Sequence, residues 1–218
     1  MINEQKMSVS LVSKVYRVLS TSLFVIIFLI TGNYCAHSRE LPAEAVNILE
    51  ASSEGIKLLK AKQKVVDDIF DKVNLDVSSI TKISQIKERK LILKEFIKAN
   101  AELMETRKNS ETFLIKGLEK REVSRKSIDA YLKGYREKSK KRQPLILKID
   151  DTNTRSMEKW IKILDLLEAK WGKWQPDPAN ASIKSEDEDL IVKFNTLLEK
   201  TWAIADEQAE FIKKLQSR

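Results

Sequence analysis

The chain has 218 residues, with 40 Lys or Arg against 32 Asp or Glu and a formal net charge of +8. Only 5 glycines and 4 prolines are present, while 33% of the residues are charged, and this composition favours helices over sheets. The single histidine, His37, and the single cysteine, Cys35, both precede the part of the chain that we expect to fold. The folded part therefore lacks the residues for a zinc site of the usual N/S type or for a Ser-His or Cys-His nucleophile pair. With no glycine-rich phosphate loop either, the sequence predicts no enzyme, no metal site and no cofactor.

Residues 1–38 have the layout of an export signal. An uncharged stretch that contains the apolar run 23–30 follows three basic residues, which are Lys6, Lys14 and Arg17. A basic region, an apolar region and then small polar residues are typical of a secretory signal. The excess of basic residues before the apolar stretch predicts that residues 39–218 lie outside the cytoplasm.

Three interpretations of this N-terminal segment stay open. The small residues at its end predict cleavage between Ser38 and Arg39. Residues 18–36 are also just long enough to span a bilayer, which would make the segment a retained signal anchor. Lipidation of Cys35 is the third interpretation, although the bulky Tyr34 stands where a small residue is expected.

After the export segment, the sequence predicts a first helix over residues 42–73. Its apolar residues alternate at spacings of about 4 and 3, as in helices that pack on other helices. Cap-forming residues in 74–79 predict a turn, and a second helix then begins at Ile80. An antiparallel hairpin with a short turn would place Phe70 beside Ile83 and Leu59 beside Leu93.

Residues 116–142 hold the basic excess of the chain, with 11 Lys or Arg and 4 Asp or Glu. The segment ends in four residues that are candidates for binding an anionic partner: Lys138, Lys140, Lys141 and Arg142. An anionic membrane surface or an acidic protein would suit such a segment. Nucleic acid does not, because an exported chain without interleaved aromatic residues lacks the usual stacking platform.

Residues 144–174 predict the central helix. Its apolar stripe contains Trp160, Trp171 and Trp174 at helical spacing. Because proline removes a backbone donor and disfavours helix at the preceding residue, Pro144 predicts a division of this third helix.

Residues 175–182 form the clearest predicted loop, and they include an Asn-x-Ser acceptor pattern at Asn180. A capping box at 185–188 then starts the last helix, which we expect over 186–215. In an antiparallel hairpin, residues at equal distances from the connecting loop lie side by side. This predicts that Leu167 lies beside Phe194 and that Trp160 lies close to Trp202.

We therefore expect an all-α fold: an elongated up-down antiparallel bundle of four long helices, the third split near Pro144. Residues 1–38 would be a signal peptide or signal anchor, and residues 39–218 the helical bundle domain. No run after residue 40 predicts a sheet. The expected function is that of a non-catalytic, exported protein of a bacterial cell envelope, in the periplasm or held at the membrane. It would act through a protein partner or as a structural component, and the alternative is binding to an anionic lipid surface through 116–142.

Overall fold

A computed structural model describes residues 42–217. They form five helices, two short strands and one 3-10 turn: α1 (Ala43–Phe70), the turn Val77–Ser79, α2 (Ile83–Lys108), α3 (Ser110–Lys120), α4 (Arg125–Ala169), β1 (Gln175–Asp177), β2 (Ser182–Lys184) and α5 (Glu188–Gln216). The structure is 81% helical, which confirms the all-α class. No helix within 42–217 is sufficiently long and apolar to cross a membrane. The predictions for the export segment, Cys35, Ser38 and Arg39 fall outside the described residues.

Helix α4 is the element on which the others are arranged. It packs along α5 and α2, while α1 packs on α2 and α3. The main hydrophobic core joins α1, α2, α4, α5 and the β hairpin, and its fully buried large side chains include Phe96, Ile163, Leu167 and Phe194. A second cluster joins α1, α3 and the N-terminal end of α4, and a third joins α4 to the C-terminal part of α5.

The predicted division at Pro144 is wrong, because α4 continues through this proline for 45 residues. Proline removes one backbone donor, but the helix on either side is held by burial of Leu132, Leu145 and Ile149. The chain breaks elsewhere. Helix α2 ends at Lys108 and α3 begins only two residues later, and a second break, in which Glu122 has a positive φ of 55°, separates α3 from α4.

The register predicted for the first hairpin is also wrong. The ring of Phe70 packs on Phe96, with centroids 5.9 Å apart, and not on Ile83, which is 38% exposed. Lys62 Nζ lies 2.7 Å from Glu102 Oε2 in the same shifted register. Relative to the prediction, α2 is displaced along α1 by more than three helical turns.

The shift arises because residues 71–82 do not form a tight turn. Val77 and Ile80 of this connection are buried in the main core, where the 3-10 turn contacts both β strands. The connection is fixed to α2 by Arg89, whose guanidinium donates to the Asp76 carbonyl at 2.7 Å and to Ser79 Oγ at 2.8 Å. Ile80, which the sequence places at the start of a helix, thus belongs to a buried loop.

The predicted register of the second hairpin is confirmed. The predicted register places Trp160 of α4 opposite Thr201 of α5. Two helical turns further from the connecting loop, it places Asn153 opposite Gln208. In the structure, Gln208 Nε2 donates to Asn153 Oδ1 at 2.5 Å. Trp160 and Trp202 both pack in the main core. They do not form a ring pair, however, since the ring pairs found within residues 42–217 are Phe70–Phe96 and Trp171–Trp174.

The end of α4 differs from the prediction. The helix stops at Ala169, and the chain reverses at Gly172, whose φ of +85° favours glycine. Trp174 folds back and donates from Nε1 to the Leu167 carbonyl at 2.9 Å, which satisfies an acceptor in the last turn of the helix. Trp171 is 39% exposed and meets Trp174 edge to face. The three tryptophans therefore do not share one helical stripe.

The region predicted as a loop contains a small antiparallel sheet, which corrects the expectation that the fold has none. Strand β1 pairs with β2, with Pro176 opposite Ile183. Ile183 is buried in the main core, and both strands contact the 3-10 turn, so the hairpin packs against the rest of the fold. Asn180 is exposed at the turn, where its amide donates to Asp177 Oδ2 at 2.7 Å.

Helix α5 is capped by Asp187 and not by Ser185. The Asp187 side chain accepts from the Leu190 amide at 3.0 Å and pairs with Lys170 Nζ at 2.9 Å. Ser185 instead donates to the Lys173 carbonyl. The Lys170 contact and the Leu190 amide lower the pKa of Asp187, so its contribution to stability is present above pH ~4 and is lost as the pH falls through the lowered pKa.

We expect Asp187→Ala to lower the midpoint of thermal unfolding by about 2–4 °C at neutral pH, because the first turn of α5 loses its cap. The matched change Glu186→Ala, at an exposed residue one position earlier, should leave the midpoint nearly unchanged. Circular dichroism melting curves of the two variants measure the difference. Equal midpoints would show that the cap contributes nothing.

Candidate functional site

A buried ion pair connects α2 to the middle of α4. Arg107 Nη1 donates to both carboxylate oxygens of Asp150, and the two side chains are only 9% and 6% exposed. Arg107 Nη2 donates to Gln63 Oε1 of α1 at 2.5 Å. One guanidinium group therefore ties three helices together.

Further polar side chains surround this ion pair inside the helical packing. Asn100 Nδ2 donates to the Asp150 carbonyl at 2.7 Å and to Thr154 Oγ1 at 2.9 Å, and the Asn153–Gln208 hydrogen bond lies on the same stretch of α4. Burial raises the pKa of the Asp150 carboxyl, and the attraction of Arg107 offsets part of that rise. Each of these contacts joins one helix to another, so the buried polar layer fixes how the helices align.

A cleft of about 170 Å³ opens beside the ion pair, where α1, α4 and the junction of α2 with α3 meet. Its lining is formed by Ile56, Leu59, Arg107, Ser110, Tyr135, Lys138, Ser139, Arg142, Gln143 and Ile146. Apolar side chains of α1 and α4 form much of the wall. The lining includes three basic residues and no acidic one.

Two guanidinium nitrogens near this cleft have no hydrogen-bond acceptor within the described residues. They are the buried Nε atoms of Arg107 and Arg142. A buried donor without a partner costs about 1–3 kcal/mol, and more when the group is charged. Both residues line the cleft, so two buried donors without a partner belong to its wall.

The backbone around the cleft is held by a side-chain cap. Helix α2 ends one residue after Arg107, so the Arg107 carbonyl is among those without a partner inside the helix. Gln143 Nε2 of α4 donates to this carbonyl at 2.7 Å. At the other side of the cleft, the hydroxyls of Ser110 and Tyr135 are 2.8 Å apart. The cleft is thus built on fixed helices.

The four predicted anion-binding residues separate into two pairs in the structure. Lys138 and Arg142 line the cleft, one turn apart on α4. Lys140 and Lys141 are exposed on other sides of the same helix and are not part of the lining. The cleft therefore includes two of the four residues, and the other two lie on the helix surface beside it.

The rest of the basic segment also has two parts. Three of its arginines are in ion pairs with acidic residues: Arg121 with Glu50 and Glu54, Arg125 with Glu119 and Asp129, and Arg136 with Glu111. Its seven lysines are all exposed: Lys116, Lys120, Lys126, Lys133, Lys138, Lys140 and Lys141. The arginines mainly hold α1 and α3 in place, so the lysines form the cationic surface.

Sequence reasoning missed Arg107 and Asp150. A signal was present: Asn153 and Ser156 interrupt an otherwise apolar stripe of α4, and both are buried. Polar residues on a buried stripe need partners. The partner on α2 could not be identified, because finding it required the register of two helices separated by a long connection.

Comparison of the chain with protein-family models, with curated proteins and with solved structures found no match in any of the three. Within residues 42–217, no group of three or more His, Cys, Asp or Glu side chains is arranged to hold a metal ion.

Proposed function

We propose that this chain is a non-catalytic, exported protein of a bacterial cell envelope that acts by binding a protein partner or as a structural component. In this proposal the helices form an elongated up-down bundle, and residues 1–38 direct export or anchor the chain. The observation that carries the proposal is the use of the buried polar groups. Arg89, Arg107, Asn100 and Asp150 all join one element of the fold to another, so these contacts serve the alignment of the helices.

Exposed apolar side chains on the helices are suited to contact a partner. Leu91 of α2 is 59% exposed, Phe113 of α3 is 43% exposed and Val192 of α5 is 63% exposed. Single exposed apolar residues are common on soluble proteins. Their use in binding therefore needs a direct test.

The test is photocrosslinking in living cells of the native host. A photoreactive phenylalanine analogue is placed at Phe113, Leu91 or Val192, and at the exposed polar residue Glu199 as the matched control. We expect at least one of the three apolar positions to give a discrete adduct with one protein, absent at Glu199. The same weak, diffuse labelling at all four positions would contradict a specific protein partner on these helix faces.

Export is tested separately. Mass spectrometry of the protein recovered from its native host should show a chain that begins near Arg39 if the signal is cleaved. A chain that begins at Met1 or Met7 in the membrane fraction would indicate the anchor, and a diacylglyceryl mass on Cys35 would indicate lipidation. An intact chain in the cytoplasmic fraction would contradict export.

A second candidate function is binding to an anionic membrane surface through 116–142. It is favoured by the seven exposed lysines of that segment, since basic clusters near a membrane are attracted to anionic lipids by about 1 kcal/mol per residue. Three of the arginines already have acidic partners. Lysines are seven of the eleven basic residues in this segment, so they carry most of its positive charge.

For this candidate we expect the change of Lys138, Lys140, Lys141 and Arg142 together to Gln to weaken co-sedimentation with anionic liposomes by ~10-fold or more at low salt. Helicity should stay nearly intact, because the three lysines are exposed and surface substitutions usually cost less than ~0.5 kcal/mol each, while Gln keeps a polar side chain at the half-buried Arg142. The matched control changes Lys162, Lys193, Lys200 and Lys213 to Gln, which removes the same charge from exposed positions elsewhere. Equal loss in both variants, or no binding by the unmodified chain at low salt, would contradict the candidate.

A further inference from the structure

We propose that the cleft between α1, α4 and the α2–α3 junction binds a small monocarboxylate with a compact apolar body. This inference does not depend on the proposed function. It assigns a ligand site on one face of α4, whereas the proposals above concern a protein partner or a membrane surface.

The net positive charge of the cleft favours a negatively charged ligand. Its lining holds Arg107, Lys138 and Arg142 and no Asp or Glu. Arg107 is neutralised by Asp150, so Lys138 and Arg142 supply the net positive charge. In the part of the chain that the structure describes, neither of these two residues has an ion pair with an acidic residue.

Two hydrogen-bond donors of the lining residues lack an acceptor within residues 42–217. Arg107 is 8% exposed, and both of its terminal nitrogens are already engaged by Asp150 and Gln63. Its Nε and the Nε of Arg142 have no acceptor within the described residues. A carboxylate accepts through two oxygens and can take donors from more than one guanidinium group.

The rest of the lining is mainly apolar and favours a ligand with an apolar part. Ile56 and Leu59 of α1 and Ile146 of α4 face this space together with the Tyr135 side chain. A volume of about 170 Å³ is close to that of an engineered ~150 Å³ apolar cavity that accepts benzene. The ligand body is therefore about the size of a benzene ring or a chain of about six carbons, which excludes a whole diacyl lipid.

The N-terminal segment of this chain does not suit the cleft by charge. Residues 1–41 contain more basic than acidic residues. An acidic occupant from outside the chain complements Lys138 and Arg142 better. The chemistry of the cleft thus points to a free organic acid.

The experiment uses the full chain in neutral lipid nanodiscs, with empty nanodiscs as the blank, and hexanoate as the probe. Saturation-transfer NMR and a titration should show saturable binding of one hexanoate per chain. Hexan-1-ol, which lacks the charge, and acetate, which lacks the apolar body, should each bind at least ~10-fold more weakly. Equal binding of hexan-1-ol would overturn the assignment of an anion site, and equal binding of acetate would overturn the apolar body.

Two variants test the location. Arg142→Gln removes the cationic donor, and Ser139→Phe fills the cleft from its rim; each should weaken hexanoate binding ~10-fold or more. The matched controls are Lys140→Gln, which removes a charge outside the lining, and Ser139→Ala, which adds no bulk. Thermal melting shows that each variant is folded. Unchanged hexanoate binding in folded Arg142→Gln and Ser139→Phe would overturn the proposal. So would a Lys140→Gln variant whose affinity for hexanoate falls as much as that of Arg142→Gln.

Discussion

Asp150→Ala is expected to destabilise the protein by about 3–5 kcal/mol. The change leaves the guanidinium of Arg107 buried without its counter-charge, and breaking a buried ion pair by removing one partner has a cost of this size. Both side chains are less than a tenth exposed. Urea denaturation of the variant and the unmodified chain, followed by circular dichroism, measures the difference in the free energy of unfolding.

The double variant Arg107→Met/Asp150→Leu is the informative control. It removes both charges and fills the buried space with apolar side chains, and replacements of this kind are often neutral or stabilising. We expect the double variant to recover most of the stability that Asp150→Ala loses. A double variant as unstable as Asp150→Ala would mean that the destabilisation comes from lost packing and not from an unpaired charge.

Phe96→Ala is the second change with a large expected effect, again about 3–5 kcal/mol. Phe96 is fully buried and packs on Phe70 across the α1–α2 interface. Its removal leaves a cavity in the main core and deletes an aromatic pair. The free energy of unfolding from urea titration is the measurement.

Ile83→Ala is the matched control, because it distinguishes the two registers of the first hairpin. A short-turn hairpin would make Ile83 the buried neighbour of Phe70, whereas in the structure Ile83 is 38% exposed. We expect Ile83→Ala to cost about 1 kcal/mol or less. If Ile83→Ala cost as much as Phe96→Ala, α2 would be aligned with α1 as the short turn predicts.

The two hairpins show why one register followed from the sequence and the other did not. Between α4 and α5 the chain reverses through an antiparallel hairpin that pairs Pro176 with Ile183, and the pairing of Asn153 with Gln208 agrees with the predicted register. Between α1 and α2 the connection contains Val77 and Ile80, which are buried. Unlike the β hairpin, this buried connection has no strand pairing that would keep residues at equal distances from a turn side by side.

In the candidate site too, the sequence predicted local properties and missed contacts between helices. The basic character of 116–142 is a local property, and the sequence predicted Lys138 and Arg142 as candidates that the structure places at the cleft. The acceptor-free nitrogen of Arg107 depends on where Asp150 and Gln63 lie. These three residues come from three helices, so no spacing within one helix could associate them.

The sequence by itself determined the helical class, the approximate extent of α1 and α5 and the alignment of α4 with α5. Helical periodicity, caps and the β hairpin before α5 act within a few turns of chain, so they can be read locally. Tertiary structure alone decided the continuity of α4 through Pro144, the buried 71–82 connection and the Arg107–Asp150 pair. Each of these depends on burial by distant segments, whose packing energy outweighs a missing backbone donor or a local turn preference.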